Sequence, residues 1–382
     1  MRVAVIAHAL RAGGGISVAT NIVRSLTRLR PEFTYLVIAP DMPEYRALGT
    51  FSNVTIESFQ HRSYLQRIYF DEIELRRRIR SFAPDFVFSL GNSPTRLASG
   101  YQALLLHNAH LVYPAHLVPN QTAFDKLMIW AQKLQIWRGL KFVDLVFCQT
   151  DVMRKRFRET FQYDGDVLLL PNAVSGDLID NPNAMLMQPT PQPEKRFRLF
   201  VLARYYTHKN LETIVDCFDQ YRDQLHNVEA VLTITPQQHP AAATLLRAIR
   251  KKNLTTLIVT LGEVPQSSLP ALYAQMDGLL LPTLLESFSG TYLEAMKFGM
   301  PILTSDRDFA RATCEDAALY FDPLCPQSMR DVIIKLRDNP ALRTTLINAG
   351  RRRVVNLANS WDYILSRAIS DIEARILPTQ TT

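Results

Sequence analysis

A chain of 382 residues is long for a single hydrophobic core, so two domains are expected, and 47% hydrophobic with 21% charged residues is the make-up of an ordinary soluble globular protein. No uninterrupted apolar run approaches the roughly 20 residues that a spanning helix needs, and the N-terminus reads as a first strand rather than a signal peptide. The net charge of +7 invites a polyanion, yet no nucleic-acid-binding module accompanies the basic clusters.

In chain order, the first half alternates strands and helices. A strand at Val3–Ala7 leads through Gly13-Gly14-Gly15 into a helix from Ser17 to about Leu29, with Val18, Ile22, Val23 and Leu26 at helical spacing. Strands follow at Tyr35–Ala39 and Val54–Glu57, then a basic helix near Asp71–Phe82. Later strands are expected at Phe86–Leu90, Gln102–Leu106, Leu145–Gln149 and Val167–Leu170. Phe124 to Leu140 carries Phe124, Leu127, Met128, Trp130, Ala131, Leu134 and Trp137 on one helical arc. Such an arc is usually core, with an interfacial membrane helix as the second reading.

A segment without periodicity, Asn181 to Glu194, holds four prolines and marks a linker at about 179–195. It separates a first domain, 1–178, from a second, 196–359. In the second, strands are expected at Leu199–Leu202, Ala230–Ile234, Leu257–Leu261, Gly278–Leu281, Ile302–Thr304 and Ala318–Phe321, with helices between and after them. Trp361 to Ile376 is a last helix. The alternation predicts an α/β protein of two Rossmann-like, doubly wound parallel-sheet domains, with ligands preferring an inter-domain cleft.

The most informative stretch is Leu279 to Pro301. A short apolar strand ends at Pro282, a polar loop of small residues follows from Ser287 to Gly290, and a helix runs from about Thr291 to Phe298 before Gly299 stops it. A helix opening beyond a parallel strand offers unpaired N–H groups and the positive end of its dipole, a ready phosphate site. Glu286 before the loop and Glu294 inside the helix bracket that site with carboxylates. Carboxylates repel a bare phosphate but bind alcohols, so the ligand should carry hydroxyls on both sides of its anion. A sugar nucleotide has that form.

This stretch resembles the family-4 retaining glycosyltransferases of the GT-B fold, whose hallmark is a Glu, seven residues and a second Glu. Arg204 and Lys209 in Leu202 to Leu211, Gly262 with Val264, Leu170-Pro171-Asn172-Ala173-Val174 and the Ala317 to Pro323 segment stand in the order of that family. The resemblance is close over about 200 residues of the second half and loose over the first. It implies a catalytic set of Glu286, His107, Lys209 and Arg204. Glu286 would hold the donor sugar's hydroxyls and Glu294 the ribose. Ser289, Gly290 and Thr291 would offer backbone N–H groups to the diphosphate, and the Gly262 and Val264 backbone would hold the base. It also implies front-side transfer with retention, and a last helix (360–378) that packs back on the first domain.

In the first domain, Gly14 and Gly15 open a helix, but Val18 stands where a dinucleotide fingerprint needs its third glycine, so an oxidoreductase is disfavoured. The loop is assigned to the donor phosphate or the acceptor. His107 is matched to the family's first-domain histidine, with Asn108 and His110 as lesser candidates, Asn172 as a structural element and Thr150 as a weaker site. Asp164-Gly165-Asp166 and Asp306-Arg307-Asp308 are read as turns, and neither a metal nor a cofactor is assigned. Of the basic clusters, Arg351 to Arg353 reads as a solvated face; Arg76 to Arg80 and Arg154 to Arg158 leave membrane contact and solubility open.

The expectation is a metal-independent hexosyltransferase using a UDP- or GDP-sugar, with a glycan or lipid-linked glycan hydroxyl as acceptor, in surface-polysaccharide biosynthesis. The four scattered cysteines suggest reduced thiols, hence a cytoplasmic protein, peripheral on the inner face of the membrane if it touches anionic lipid, with no nucleic-acid partner. A sugar-nucleotide epimerase of the same fold and a non-catalytic sugar-nucleotide-binding or membrane scaffold protein are the rivals.

Overall fold

The computed structural model describes residues 1–11, 13–59, 66, 69–97, 100–119, 121–173, 196–357 and 360–376; the expected linker and Val174 lie outside them. The chain divides into two compact units. One comprises Met1–Tyr113, Ala123–Ala173 and Ser360–Thr382, the other Pro114–Thr122 and Val174–Asn359.

The first unit is a seven-stranded sheet of β1 (Arg2–Ile6), β2 (Thr34–Ala39), β3 (Val54–Ser58), β4 (Phe86–Ser89), β5 (Tyr101–Leu106), β6 (Leu145–Cys148) and β7 (Asp166–Leu169). Their order is β3-β2-β1-β4-β5-β6-β7, every pairing parallel. Strands β4 and β6 are buried along their whole length, which is why they read as unbroken apolar runs, whereas edge strand β3 is part exposed. The strand order reverses between β1 and β4, and a reversal of this kind opens a crevice at the carboxyl ends.

Among the described residues, the longer helices between the strands of this unit are α1 (Gly14–Leu29), α2 (Leu75–Phe82), α3 (Ala123–Gly139) and α4 (Asp151–Phe161), besides a single turn at Pro43–Arg46. The second unit holds β8 (Phe197–Val201), β9 (Val228–Leu232), β10 (Ile258–Thr260), β11 (Gly278–Leu281), β12 (Ile302–Ser305) and β13 (Ala318–Phe321), in the order β10-β9-β8-β11-β12-β13, again all parallel. Its helices are α5 (Glu212–Gln220), α6 (Pro240–Lys251), α7 (Leu269–Tyr273), α8 (Gly290–Lys297), α9 (Asp308–Cys314), α10 (Pro326–Asp338) and α11 (Pro340–Leu357). Leu199, Val201, Ile214, Phe218, Leu280 and Ile333 belong to its core. Gly278 in β11 permits tight packing, since a Cβ there would sit 3.2 Å from both Leu199 and Leu336 side chains.

The last helix, α12 (Trp361–Ile376), packs on α1. Arg30 forks onto Glu373 through two hydrogen bonds of 2.7 Å, and Arg28 reaches Asp362 at 2.8 Å. The fork holds the Glu373 carboxyl below the ordinary carboxylate range.

Several local expectations change. Helix α1 begins at Gly14 rather than Ser17, because Gly13 takes φ +63° and ψ −150°, a region open to glycine, and so turns the chain early. The predicted Asp71–Phe82 helix is two elements: a π-helical stretch, Phe70–Glu74, runs into α2. Arg76, Arg77 and Arg78 pair with Glu72, Glu74 and Glu57, and Arg154 pairs with Asp151, so at least four of the eight cations in these two clusters are matched by an acid. Arg353 is not a solvated residue. It is 17% exposed and donates to the Thr313 and Ala312 carbonyls, where α9 ends and its dipole is negative. The aromatic arc is not core either: Phe124, Leu127, Trp130 and Trp137 are all exposed.

Candidate active site

In the second unit the strand order reverses between β8 and β11, and the predicted donor residues follow the carboxyl ends of β8, β10 and β11. Parallel strands place all three loops along one edge of the sheet. After β8 the chain makes a 3-10 turn, Thr207–Lys209, and Asn210 enters the left-handed region at φ +54°. Asn210 Nδ2 donates to the carbonyls of Pro282 (3.1 Å) and Pro323 (2.7 Å), while Thr213 Oγ1 donates to Asn210 Oδ1 at 3.0 Å. One buried amide thus fastens the β8 loop to the ends of β11 and β13. Leu284 N donates to the His208 carbonyl at 2.8 Å, closing the same junction.

This fastening brings Lys209 and Glu286 together, 77 positions apart in sequence. Lys209 Nζ donates to Glu286 Oε1, and the two side chains are 16% and 15% exposed. Pairing offsets the desolvation cost that either charge would carry alone in this half-buried place. Ser289 precedes α8 in extended backbone without a side-chain cap, and a Cβ built on Gly290 would meet nothing within 4 Å. At Gly290 the start of α8 therefore leaves room for a ligand. Ser289 is buried and Thr291 half-buried beside it.

Glu294 lies in the second turn of α8, whose first turn holds no acid, so pairing with the helix dipole does not account for it. Its Oε2 accepts from Tyr273 Oη at 2.9 Å. Tyr273 is fixed edge-on to Phe200 (5.4 Å) and stacked with Phe298 (4.8 Å). Burial raises the Glu294 carboxyl above its ordinary range, and the tyrosine hydrogen bond opposes that rise by favouring the carboxylate.

Arg204 does not join Lys209. Its Nη1 lies 3.0 Å from Glu263 Oε1, which also accepts from Gln238 at 3.0 Å, so Arg204 is tied to the loop after β10. In that loop Gly262 takes φ +76°, which favours glycine, and Val264 is half-buried.

In the first unit, Gly13 to Gly15 follow β1 and His107 follows β5. A Cβ on Gly15 would lie 3.7 Å from His107 Cε1 and 3.2 Å from Leu10 Cδ2, so loop and ring are neighbours; one on Gly14 would meet open space. Asn92, at φ +58°, accepts from the backbone N–H groups of His107 (2.7 Å) and Asn108 (2.9 Å) and fixes the end of β5. Burial pushes the His107 imidazole down to about 4, so the ring is neutral near pH 7. His110 is also lowered by burial, with Asp125 opposing.

The lesser candidates have structural partners. Asn172 Oδ1 accepts from Gln149 at 2.6 Å, and Thr150 Oγ1 caps α4 by accepting from Met153 N at 3.2 Å. Asp166 pairs with Arg375, Asp306 with Arg311, and Asp308 accepts from Phe309 N at the start of α9. Sequence reasoning missed Asn210, Tyr273 and Asn92. Asn210 and Asn92, both asparagines in left-handed turns just beyond a strand, carry a local signal, and Tyr273 carries none.

Residues 12–177 match the family model described as Glycosyltransferase Family 4, and residues 184–353 match Glycosyl transferases group 1. No curated protein matches the chain by sequence. Among solved structures it is similar to sucrose-phosphate synthase from Thermosynechococcus elongatus, at 16% identity and TM-score 0.76 over 98% of this chain and 100% of that one. It is similar also to Anabaena HepE in complex with UDP and glucose (15%, TM-score 0.74, 98% and 100%). A third is WaaG, a glycosyltransferase involved in lipopolysaccharide biosynthesis (14%, TM-score 0.72, 98% and 100%). Two glycosyltransferase models that between them run from residue 12 to residue 353, on a pair of parallel sheets shared with these structures, make the chain a glycosyltransferase of the GT-B fold.

Proposed function

We propose that the protein is a retaining, metal-independent hexosyltransferase that moves a sugar from a UDP- or GDP-sugar to a hydroxyl of a glycan or lipid-linked glycan in surface-polysaccharide assembly. The observation that carries this reading is the half-buried Lys209–Glu286 pair, which shares its loop with the open position at Gly290 that starts α8. In the resting protein each partner neutralises the other. An arriving diphosphate takes over the Lys209 ammonium, and Glu286 turns to the sugar's hydroxyls.

As the bond to the sugar breaks, negative charge grows on the diphosphate, where Lys209 and the backbone N–H groups at Ser289 to Thr291 receive it. Arg204 and the Gly262 to Val264 loop sit toward the base end. Glu294, held by Tyr273, binds the ribose. His107, a neutral ring beside Gly14 and Gly15, offers hydrogen bonding near the sugar without adding charge. HepE holds UDP and glucose, and WaaG acts in lipopolysaccharide biosynthesis, which favours a uridine donor and a glycan acceptor here.

A thermal-shift screen over UDP-, GDP- and ADP-sugars tests the donor: UDP- or GDP-sugars should stabilise the protein, and no shift with any of them would remove the reading. Contact with an anionic membrane surface is part of the proposal, supported by α3. Phe124, Leu127, Trp130 and Trp137 are 67%, 56%, 60% and 62% exposed along one helix that also carries Lys126, Lys133 and Arg138 against a single acid, Asp125. The Trp130→Ser/Trp137→Ser variant should lose most co-sedimentation with phosphatidylglycerol vesicles while keeping its donor-induced thermal shift.

A further inference from the structure

The loop that carries Glu286 leaves the sheet at Leu281, the last residue of β11, and Pro282. β11 lies between β8 and β12, and successive carbonyls of an extended chain point opposite ways, one toward each neighbour. Here side chains take both. From the β12 side, Thr304 Oγ1 donates to the Leu281 carbonyl at 3.2 Å. From the β8 side, Asn210 Nδ2 donates to the Pro282 carbonyl at 3.1 Å and, with its second hydrogen, to the Pro323 carbonyl at 2.7 Å.

Each of these donors leads to one half of the proposed diphosphate site. Asn210 directly follows Lys209 and lies in the left-handed region. Thr213 Oγ1, 3.0 Å from Asn210 Oδ1, settles which end of the amide faces the carbonyls. On the other side, Thr304 Oγ1 lies 2.6 Å from the Oη of Tyr292, in the first turn of α8. A threonine hydroxyl has one proton, and the Leu281 carbonyl takes it, so Tyr292 is the donor in that contact. The chain of bonds runs from Tyr292 through Thr304 to Leu281 and ties the start of α8 to the end of β11. Tyr292 and Thr304 are fully buried and Asn210 nearly so, which keeps water from standing in for a lost donor.

We infer that Asn210 and Tyr292 are positioning residues for transfer, which align Lys209 with the backbone N–H groups at the start of α8 by holding two consecutive carbonyls of one strand end. The inference rests on the transferase reading, in which these two groups receive the charge that grows on the diphosphate. Tethers of this kind matter more to the transition state than to ground-state binding, because groups already in place need no reorganisation as charge develops. A shift of about 1 Å in such a group can cost up to about 10²-fold in rate.

Steady-state release of UDP from UDP-glucose, or of GDP from GDP-mannose, tests it together with hydrogen exchange at the backbone amides. Tyr292→Phe, which leaves Thr304 bonded to Leu281, should lower kcat about tenfold with donor KM within about twofold of the parent's. Exchange from Ser289 to Glu294 should quicken. Asn210→Gly keeps the left-handed turn but drops the amide; it should lower kcat to a similar extent and quicken exchange around Lys209 and Leu284. Thr304→Val should lower kcat at least as far as Tyr292→Phe, whereas Thr304→Ser, which keeps the hydroxyl, should retain the parent's kcat. The Tyr292 and Thr304 variants decide if Asn210→Gly does not fold. Faster exchange at the parent's kcat would leave the tethers merely structural and overturn the inference, as would unchanged exchange, or a loss confined to KM. Exchange that quickens in a protein that neither donor stabilises, and that releases neither nucleotide, would support the tethers and remove only the donor reading.

Discussion

The carboxyl edges of the two sheets solve different problems. The edge of the second sheet concentrates charge: Lys209 and Glu286 face each other largely out of water, and Glu294 stays beside Tyr273 despite a burial that raises its carboxyl. At the edge of the first sheet, charge is absent or cancelled. Glycine makes room beside His107, burial keeps that ring neutral, and around His8 the acids Asp71 and Glu72 balance Arg76 and Arg96. On the proposed reading, ionic groups gather where a diphosphate departs and hydrogen-bonding groups where hydroxyls bind. Division of labour follows from which substrate carries the charge.

The sharpest way to break this contrast is at Lys209. Lys209→Ala leaves Glu286 without its partner in a largely buried place, so stability should fall by about 3 kcal/mol and transfer by about 10³-fold. The Lys209→Ala/Glu286→Ala double variant should regain much of the stability and none of the transfer. Denaturant unfolding and donor-turnover assays read the two effects separately. Turnover near the parent's in Lys209→Ala would end the charged-edge account.

A smaller effect is expected at Tyr273. Tyr273→Phe removes one hydrogen bond to Glu294, costing about 1 kcal/mol, or roughly fivefold in donor KM with kcat little changed. Because that bond favours the carboxylate, its loss lets the Glu294 carboxyl rise further, and the acid limb of donor binding should move to higher pH. A limb that stays in place would show that Glu294 does not touch the donor.

The mildest test concerns His107. Its folded value, about 4, lies below the ordinary 6.5, so between those limits the unfolded chain binds a proton that the folded chain refuses. The stability that goes with the neutral ring is full above pH 6.5 and is lost as pH falls through about 4. His107→Phe should therefore flatten the decline in unfolding free energy between pH 6.5 and 4.5. An unchanged slope would mean that the ring is more hydrated than its surroundings imply.

Much of the architecture was legible locally. Runs such as Leu279 to Leu281 and Leu145 to Cys148 are continuous because parallel strands are buried on both faces, and the glycines and prolines between them mark the turns. The arc on α3 was legible as a pattern but not as a location. Spacing shows that Phe124, Leu127, Trp130 and Trp137 share a face, while only packing shows that the face stays uncovered. Arg353 misleads for the same reason in reverse, since a basic run on a helix gives no hint that one guanidinium turns onto the end of α9.

From the sequence alone came the alternation of strands and helices, the strand-to-helix junction with Glu286 and Glu294, and the family resemblance of the residues around it. These are short-range patterns, written in neighbours that share one element. Tertiary structure alone decided that Lys209 pairs with Glu286 and Arg204 with Glu263, that Tyr273 holds Glu294, and that Asp71 steadies His8. Those partners meet across 77, 59, 21 and 63 positions of chain, where hydrogen bonding depends on distance in space and sequence spacing carries no information about it.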